Sequence, residues 1–426
     1  MKVASFYRSS RVLAVLVLAG TLTGGLAAPV AAQSDEPTVF IVNNVSDEIT
    51  TFTMNEDGTM NFIGTYPTSD GPMAAAVTPD GAYLAVTHGT GNSQVEALQV
   101  FQVNNDASLT MVLDTLVPDS PMAAVWLNDE ILAVTETDVG GDNYAHTWFY
   151  DRDTPDLTLV DSAHTGSFNT SLAKHPALDV LYAQDSWTYY AVHWLTYDDD
   201  GGFTSSNTIG TGSHFPLKLC VTQAGDFLYA ACGISGDGHR VLGFRVDALG
   251  GLTALTGSPF HSPGQSPAHV TPSRDGAFLF VGHGTDATVR SFTINAEGAL
   301  AATGYMFDVG MQGSIGDVKV FGDYLLVTDE TTAGDGVAGL YSFLIHENGS
   351  FTPVADIYDT DGVRPEAIAF WAPGCPADFD GDGDVDTADL LHLLGAWGTP
   401  DGDVDGDGDT DTADLLALLG AWGSCP

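Results

Sequence analysis

Basic side chains are scarce in this chain: of 426 residues only 12 are Lys or Arg, against 56 Asp and Glu, for a formal net charge of -44 at pH 7. Three of the twelve, Lys2, Arg8 and Arg11, sit in the N-terminal segment. No basic stripe is left to neutralise phosphates, which argues against nucleic acid as a partner and, for the same reason, against an anionic membrane surface. Long apolar runs are equally rare. The one at residues 12–27, VLAVLVLAGTLTGGLA, is too short and glycine-broken for a good membrane span. It follows a basic start and leads to Val30 and Ala32, which satisfy the small-residue rule for cleavage after Ala32. Residues 1–32 therefore read as an export signal, and the mature protein as secreted, extracellular or at the cell surface. A retained anchor is the competing reading, but no cysteine lies near the cut and no second apolar run follows.

Other absences narrow the chemistry. No glycine-rich phosphate loop follows a strand and opens a helix, and no GxSxG elbow occurs. The HxxH-type spacings have no helix to carry them, so nothing specific supports zinc. Cysteine is limited to Cys220, Cys232, Cys375 and Cys425, which in an exported protein can be disulfides. Cys220 and Cys232 lie on consecutive strands, where a cross-hairpin bridge and two separately buried thiols are equally compatible with the sequence.

What is present from about residue 37 to 374 is a weak repeat of roughly 45–50 residues, the period of propeller blades. Alternating apolar residues broken by Gly, Asp and Asn turns predict strands and hairpins. The copies are tracked through their second strands, AYLAV at Ala82, EILAV at Glu130, DVLYA at Asp179, DFLYA at Asp226, AFLFV at Ala277 and DYLLV at Asp323. That makes six full units. The chain begins with TVFIVNN…ITTFTMNEDGTMNFIGTY, which lacks a first strand, and the region ends with RPEAIAFWAPG, a first strand with nothing after it. Joining the two ends predicts a seventh blade and a ring without exposed sheet edges. The stretch SPAHVTPSRDGAFLFVGHGTDATVRSFTINAEGAL is similar to repeats of the lactonase-like, YVTN-like seven-bladed propellers, the family of the propeller-type 6-phosphogluconolactonases and muconate lactonising enzymes. The resemblance covers about 340 residues and speaks mainly to fold.

In propellers the active site usually lies at the central channel. Counting back a fixed distance from each second strand puts Met73, Thr170, Leu217, Ala268, Ser314 and Glu366 in one slot of the inner strands. The next slot holds Ala74, Ser171, Lys218, His269, Ile315 and Ala367. Most are small or apolar; Lys218, His269 and Glu366 are not, and Arg364 and His214 are close in sequence. Lys218, His269, Glu366 and Arg364 are therefore the candidate catalytic set, able to do general acid–base work on a lactone. His269 falls where the resembling family often carries the histidine of a Gly-Pro-Arg-His stretch, with Ala268 in place of the arginine. The alternative is a structural ion pair between Lys218 and Glu366 beside a satisfied histidine.

The C-terminus is of another kind. DFDGDGDVDTADLLHLLGAWG runs from Asp378 to Gly398, and DVDGDGDTDTADLLALLGAWG repeats it from Asp403 to Gly423. As a twelve-residue loop the first copy places Asp378, Asp380, Asp382, Asp384, Asp386 and Asp389 at positions 1, 3, 5, 7, 9 and 12, with Gly383 at the sharp turn. The second places Asp403, Asp405, Asp407, Asp409, Asp411 and Asp414 likewise, with Gly408. That pattern suits two Ca2+ ions, hard cations that take six to eight oxygens. The competing reading, an acidic disordered tail, fails to explain the apolar helix-length segments after each loop. Leu390, Leu391, Leu394 and Trp397 are expected to pack against Leu415, Leu416, Leu419 and Trp422. The duplicated loop–helix of residues 375–426 resembles a type I dockerin, which implies a cohesin-like partner and an attachment role. Thr387–Ala388 and Thr412–Ala413 stand at its recognition positions. A Cys375–Cys425 bridge is expected to clasp its ends.

The sequence as a whole thus predicts a mainly β protein, a seven-bladed propeller closed by both termini plus a small helical calcium module. Its function is expected to be attachment through that module with the propeller as a binding scaffold. The alternatives are a lactonase-like hydrolase at the channel or a polysaccharide-associated protein, since dockerins often ride on polysaccharide-degrading enzymes.

Overall fold

A computed structural model describes residues 36–89, 96–117, 120–137, 142–233, 239–310, 314–330, 339–372, 374–375, 377–379, 384–404 and 408–424. Residues 1–32, Asp380, Asp382, Gly383, Asp405, Asp407 and Cys425, on which several expectations fall, lie outside them. No helix among the described residues is long and apolar enough to cross a membrane.

Seven antiparallel sheets of four or five strands follow one another along the chain. Blade one uses strands Pro72–Val77, Tyr83–His88, Ala97–Val103 and Leu109–Leu116 in that order. Blades two to six begin at Pro121, Leu172, Pro216, Pro267 and Ile315 and repeat the plan. Blade seven is assembled from both ends. Its innermost strand Pro365–Trp371 pairs with Thr38–Asn43 in the register Thr38↔Trp371, Phe40↔Ala369 and Val42↔Ala367, so the chain closes the ring as expected.

The second strand of each blade is buried almost end to end: Val180–Asp185, Phe227–Cys232 and Phe278–His283 show no exposed position. Both faces of such a strand meet a neighbouring blade, so its sequence is continuously apolar rather than alternating. The outermost strands are only half covered, and Leu109–Leu116 alternates irregularly between exposed and partly buried residues. Seven apolar clusters each span two consecutive blades, and the one joining Phe40 and Ile49 of blade seven to Leu84, Val86 and Phe101 of blade one completes the circle.

A polar latch repeats with the blades. The second-strand hydroxyl of Tyr182 donates to the carbonyl of Gly250 (2.9 Å), Tyr229 to Gly298 (2.7 Å) and Tyr324 to Glu56 (2.7 Å), each in the next blade's outer turn. The glycines there are needed twice over. Gly58 has φ +79°, and a Cβ on it meets the Tyr324 ring at 2.2 Å.

The C-terminal segment folds as two nine-residue helices, α1 (Thr387–Gly395) and α2 (Thr412–Gly420). Each opens with a reciprocal aspartate cap. Asp386 accepts from Ala388 N (2.7 Å) while Asp389 accepts from Asp386 N (2.8 Å), and Asp411 and Asp414 do the same in α2 (2.6 Å each). The apolar packing differs from expectation. Leu393 and Leu418 are fully buried with Ala377 and Val385, and Leu390 and Leu415 are partly buried beside them. Leu391, Leu394, Trp397, Leu416, Leu419 and Trp422 stay 46–66% exposed. The two helices share a seam only one residue wide per turn, so each turns its second leucine face to solvent. Cys220 and Cys232 are free thiols. Their Cα partners across the hairpin are Tyr229 and Pro216, so they do not stand opposite one another.

Candidate functional site

Most inner strands start with the same irregularity. In blades one, two, four, five and seven one residue bulges out after the opening proline: Met73, Met122, Leu217, Ala268 and Glu366. The next residue re-enters the ladder and faces the axis. Its amide often donates to a side-chain oxygen of the second strand: Ala74 N to Thr87 Oγ1 (3.1 Å), Ala123 N to Thr135 Oγ1 (3.3 Å), Ser171 N to Gln184 Oε1 (3.0 Å) and Asp317 N to Thr328 Oγ1 (2.7 Å). This bond in four blades, and the register after the bulge in the other three, define one ring of seven equivalent positions, Ala74, Ala123, Ser171, Lys218, His269, Asp317 and Ala367.

The ring corrects the fixed-offset alignment in blade six. There Phe321 pairs directly with Tyr324 across a two-residue turn, whereas Thr78 and Tyr83 of blade one enclose four residues. The shorter turn moves the ring position two residues along, from Ile315 to Asp317, and the bulge from Ser314 to Gly316. Asp317 is the functional residue that the sequence reading missed; the turn sequence FGDY, two residues shorter than TPDGAY, was the available signal.

Three consecutive blades thus place Lys218, His269 and Asp317 side by side, and Lys319 joins them two residues further along its strand. Asp317 Oδ1 stands 3.3 Å from His269 Nδ1, outside hydrogen-bond geometry, and Oδ2 lies 3.9 Å from Lys319 Nζ. The same carboxylate accepts from Val318 N (2.9 Å) and, across to blade seven, from Ile368 N (3.2 Å). Burial pushes the Asp317 carboxyl upward, but Lys319, His269 and Lys218 together outweigh it and hold it well below the usual carboxylate range. Lys218 donates to Thr170 O at 3.2 Å. Burial draws its ammonium below the ordinary lysine value, against the pull of Asp317 and Glu366.

The expected ion pair between Lys218 and Glu366 is not what forms. Glu366 Oε2 lies 3.2 Å from Arg364 Nε, which also stands 3.5 Å from Glu330 Oε2. Arg364 adopts φ +62°, a left-handed backbone that costs an L residue about 1–2 kcal/mol. Glu330, at the end of blade six's second strand, was also missed in the sequence. Burial first, then the charge of Glu366, raises its carboxyl to about 7 despite Arg364. The structure therefore brings the four sequence candidates into two adjoining groups, Lys218 with His269 in the ring and Arg364 with Glu366 at the start of the last inner strand.

A pH prediction follows from Glu330. Its native value of about 7 exceeds the ordinary 4.5, so the native state holds a proton that the unfolded state has released. Stability must fall as pH rises between those values. Glu330→Gln is expected to flatten that slope and to be more stable than the parent above pH 7, read from urea midpoints at pH 5 and pH 8. An unchanged slope overturns the assignment.

Inside the ring lies a cavity of about 80 Å³ lined by Ala74, Ser171, Lys218, Asp317, Lys319 and Ala367 among others. It accommodates waters and falls well short of the ~300 Å³ at which ligand pockets begin. A sugar-sized molecule therefore does not fit inside the ring, whose strand-start end carries Arg364, Glu366 and Glu330. The charge there is unusual for this chain. Nine Lys and Arg residues follow residue 32, and three of them, Lys218, Lys319 and Arg364, converge on this channel.

The family described as "Lactonase, 7-bladed beta-propeller" matches residues 9–126. Among solved structures the chain is similar to a putative 6-phosphogluconolactonase from Bacteroides uniformis, at 16% identity and TM-score 0.66, over 79% of this chain and 100% of that one. It is similar to a periplasmic gluconolactonase from Pseudomonas aeruginosa at 18% identity and TM-score 0.65, over 79% and 99%. A putative 6-phosphogluconolactonase from Bacteroides fragilis matches at 18% identity and TM-score 0.64, over 79% and 98%. No curated protein sequence matches the chain. Identities this low speak to architecture, and architecture does not fix chemistry. The chain from Thr38 to Trp371 is a seven-bladed β-propeller, and residues 9–126 match the lactonase family of such propellers.

Proposed function

We propose that the propeller is a lactonase-like hydrolase acting on an anionic sugar lactone at the strand-start end of its channel. The convergence of Lys218, Lys319 and Arg364 in a chain of net charge -44 is the observation that carries this reading. In the proposed step Glu366 takes a proton from a water molecule, whose oxygen attacks the lactone carbonyl carbon. Arg364 faces the oxyanion that develops. The ring C–O bond then breaks, and protonated Glu330 gives its proton to the leaving alkoxide, so that the products are a hydroxyl and a carboxylic acid, which ionises to solvent, while the proton taken up by Glu366 passes back to Glu330. Lys218 and Lys319 supply a positive field to the anionic group, with His269 and Asp317 holding them in place. The test is acid release from a panel of sugar lactones by the full chain. Glu366→Gln and Glu330→Gln are each expected to lower the rate about 10²–10⁴-fold, and His269→Ala to weaken it less. Absence of hydrolysis, or full activity in both glutamine variants, overturns the proposal.

The C-terminal module supports a second reading, in which residues 375–426 bind two Ca2+ ions and attach the secreted or periplasmic protein to a cohesin-like partner. Carboxylate oxygens of Asp409, Asp411 and Asp414 lie within 4.8 Å of one another, a spacing that suits a shared hard cation. Asp403 accepts from Gly408 N at 2.7 Å. The two helices also expose matching apolar triads, Leu391, Leu394 and Trp397 against Leu416, Leu419 and Trp422, which gives a partner two similar faces to hold. A Cys375–Cys425 bridge belongs to the same proposal.

A further inference from the structure

A row of aromatic rings runs along blade two and on to a loop of blade three. Tyr144, His146 and Trp148 alternate along one strand, Asn143–Asp151, and so share a face. His164 and Ser162 stand opposite Tyr144 and His146 on the next strand. Tyr189, from the blade-three loop, reaches His164. Successive ring centroids are 6.5 Å apart from Tyr189 to His164, 5.5 Å to Tyr144, 6.0 Å to His146 and 6.3 Å to Trp148. Trp148, at the inner end, is anchored in the apolar cluster between blades one and two. Tyr189 at the outer end is 61% exposed, and Trp187 beside it on the same loop 58%.

The rings are held before anything binds. His146 bridges Ser162 Oγ at Nδ1 (2.7 Å) and Glu136 Oε2 at Nε2 (2.8 Å), which fixes the plane of the imidazole. On the loop, Asp185 accepts from Trp187 N (3.1 Å), Thr188 N (2.9 Å) and Tyr189 N (2.8 Å), so the two exposed aromatics project from a tied backbone. Trp187 is further braced edge-on at 5.8 Å by the buried Phe215. Phe168 (φ +58°) and Tyr190 (φ +48°), which also approach Phe215, occupy the left-handed region, where a bulky side chain is a true outlier. The strain sits in the half-buried Phe168 and Tyr190 that pack on Phe215 beside the exposed Trp187, and such strain concentrates where something is bound.

The chemistry of the row selects its ligand. No Lys or Arg takes part in these ring contacts or hydrogen bonds, and the chain as a whole is strongly acidic, which disfavours a polyanion. The carboxylates present each have a partner, Glu136 in His146 (2.8 Å), Asp142 in His164 (3.3 Å) and Asp185 in backbone amides, and only Asp142 is exposed, so the row is not an acidic trap for a cation. What remains is a run of rings that presents faces and edges in turn, near-parallel between Tyr144 and His146 (28°) and steeply inclined at His164 (82° to Tyr144, 68° to Tyr189), edged by hydroxyl and carboxylate oxygens. A pyranose offers the complement, C–H groups on its faces and hydroxyls around its rim. A series of rings calls for a series of sugars.

We propose that Tyr189, His164, Tyr144 and His146 form a stacking track for a neutral oligosaccharide, with Trp187 extending it on the loop. The full chain is titrated calorimetrically with cello-, xylo-, manno- and laminarihexaose, and with hexalysine as the cationic probe. At least one hexaose is expected to bind, with Tyr144→Ala and Tyr189→Ala each weakening it at least tenfold. Phe62→Ala, an exposed ring on the outermost strand of blade seven, is expected to leave it unchanged. Tyr189 is exposed enough for its replacement to fold, and far-UV circular dichroism checks both variants. Failure of every hexaose to bind overturns the proposal, as does binding that survives both substitutions or hexalysine binding that they abolish. Lactone hydrolysis is assayed on the same variants and is expected to persist, so that the two sites fail or stand separately.

Discussion

Asp317→Ala is expected to destabilise the propeller by about 3–5 kcal/mol, the usual result of removing one partner from a buried charge cluster. The carboxylate faces Lys319 at 3.9 Å and His269 at 3.3 Å and accepts from the amides of Val318 and Ile368. Its loss strands Lys218 inside the channel and unties blade six from blade seven at the axis. Asp317→Asn keeps the shape and separates the charge from the packing. The pH dependence has a definite sign. A carboxyl whose native value lies below the usual ~3.9 binds its proton less readily in the folded state, so its stabilisation is present in full above that value. It is lost as pH falls through the native value, at strongly acid pH. Between pH 5 and pH 2 the parent should therefore lose more stability than Asp317→Asn. Denaturant midpoints read both effects. A loss under 1 kcal/mol for the alanine variant, or parallel acid profiles, would show that the cluster is not held through Asp317.

Chelating calcium is expected to unfold residues 375–426 while leaving the propeller intact. The segment carries thirteen aspartates between Asp378 and Asp414 and no Lys or Arg from Cys375 to Pro426. Only Ala377, Val385, Leu393 and Leu418 form its fully covered described core, too little to offset carboxylate repulsion at this length. Helices of nine residues are marginal in isolation whatever their caps. Binding free energy of the ions then becomes folding free energy. Hydrogen exchange of the full chain with and without EDTA tests this. Amides of α1 and α2 should lose protection together in the chelator, and second-strand amides such as those of Phe278–His283 should not. Protection of both helices that is indifferent to EDTA means that the acidic loops hold no structural ion.

The architecture was legible because repetition amplifies weak signals. One blade gives an ambiguous run of apolar residues, whereas six second strands in series and two complementary chain ends leave a single way to pair TVFIVN with PEAIAFW. The ring positions of Lys218 and His269 were legible for the same reason, since a constant turn length transmits register from strand to strand. Register failed where that constancy failed. Blade six closes its first hairpin with two residues instead of four, and the shift hid Asp317, the carboxylate on which the other channel charges depend. Glu330 was hidden differently, because its neighbours Arg364 and Glu366 lie in another blade and no local pattern marks it.

By itself the sequence determined the β class, the count of blades, the closure by both termini and the two apolar helix-length segments after the aspartate loops. These are local or periodic properties, set by turn residues and side-chain alternation within a few residues. The tertiary structure alone decided which charges meet. It paired Glu366 with Arg364 rather than Lys218, chose Leu393 and Leu418 over Leu391 and Leu416 for the helical seam, and lined up rings from two blades along one surface. Each of these depends on the distance between elements far apart in the chain. That distance is fixed by packing, and a one-dimensional pattern does not record it.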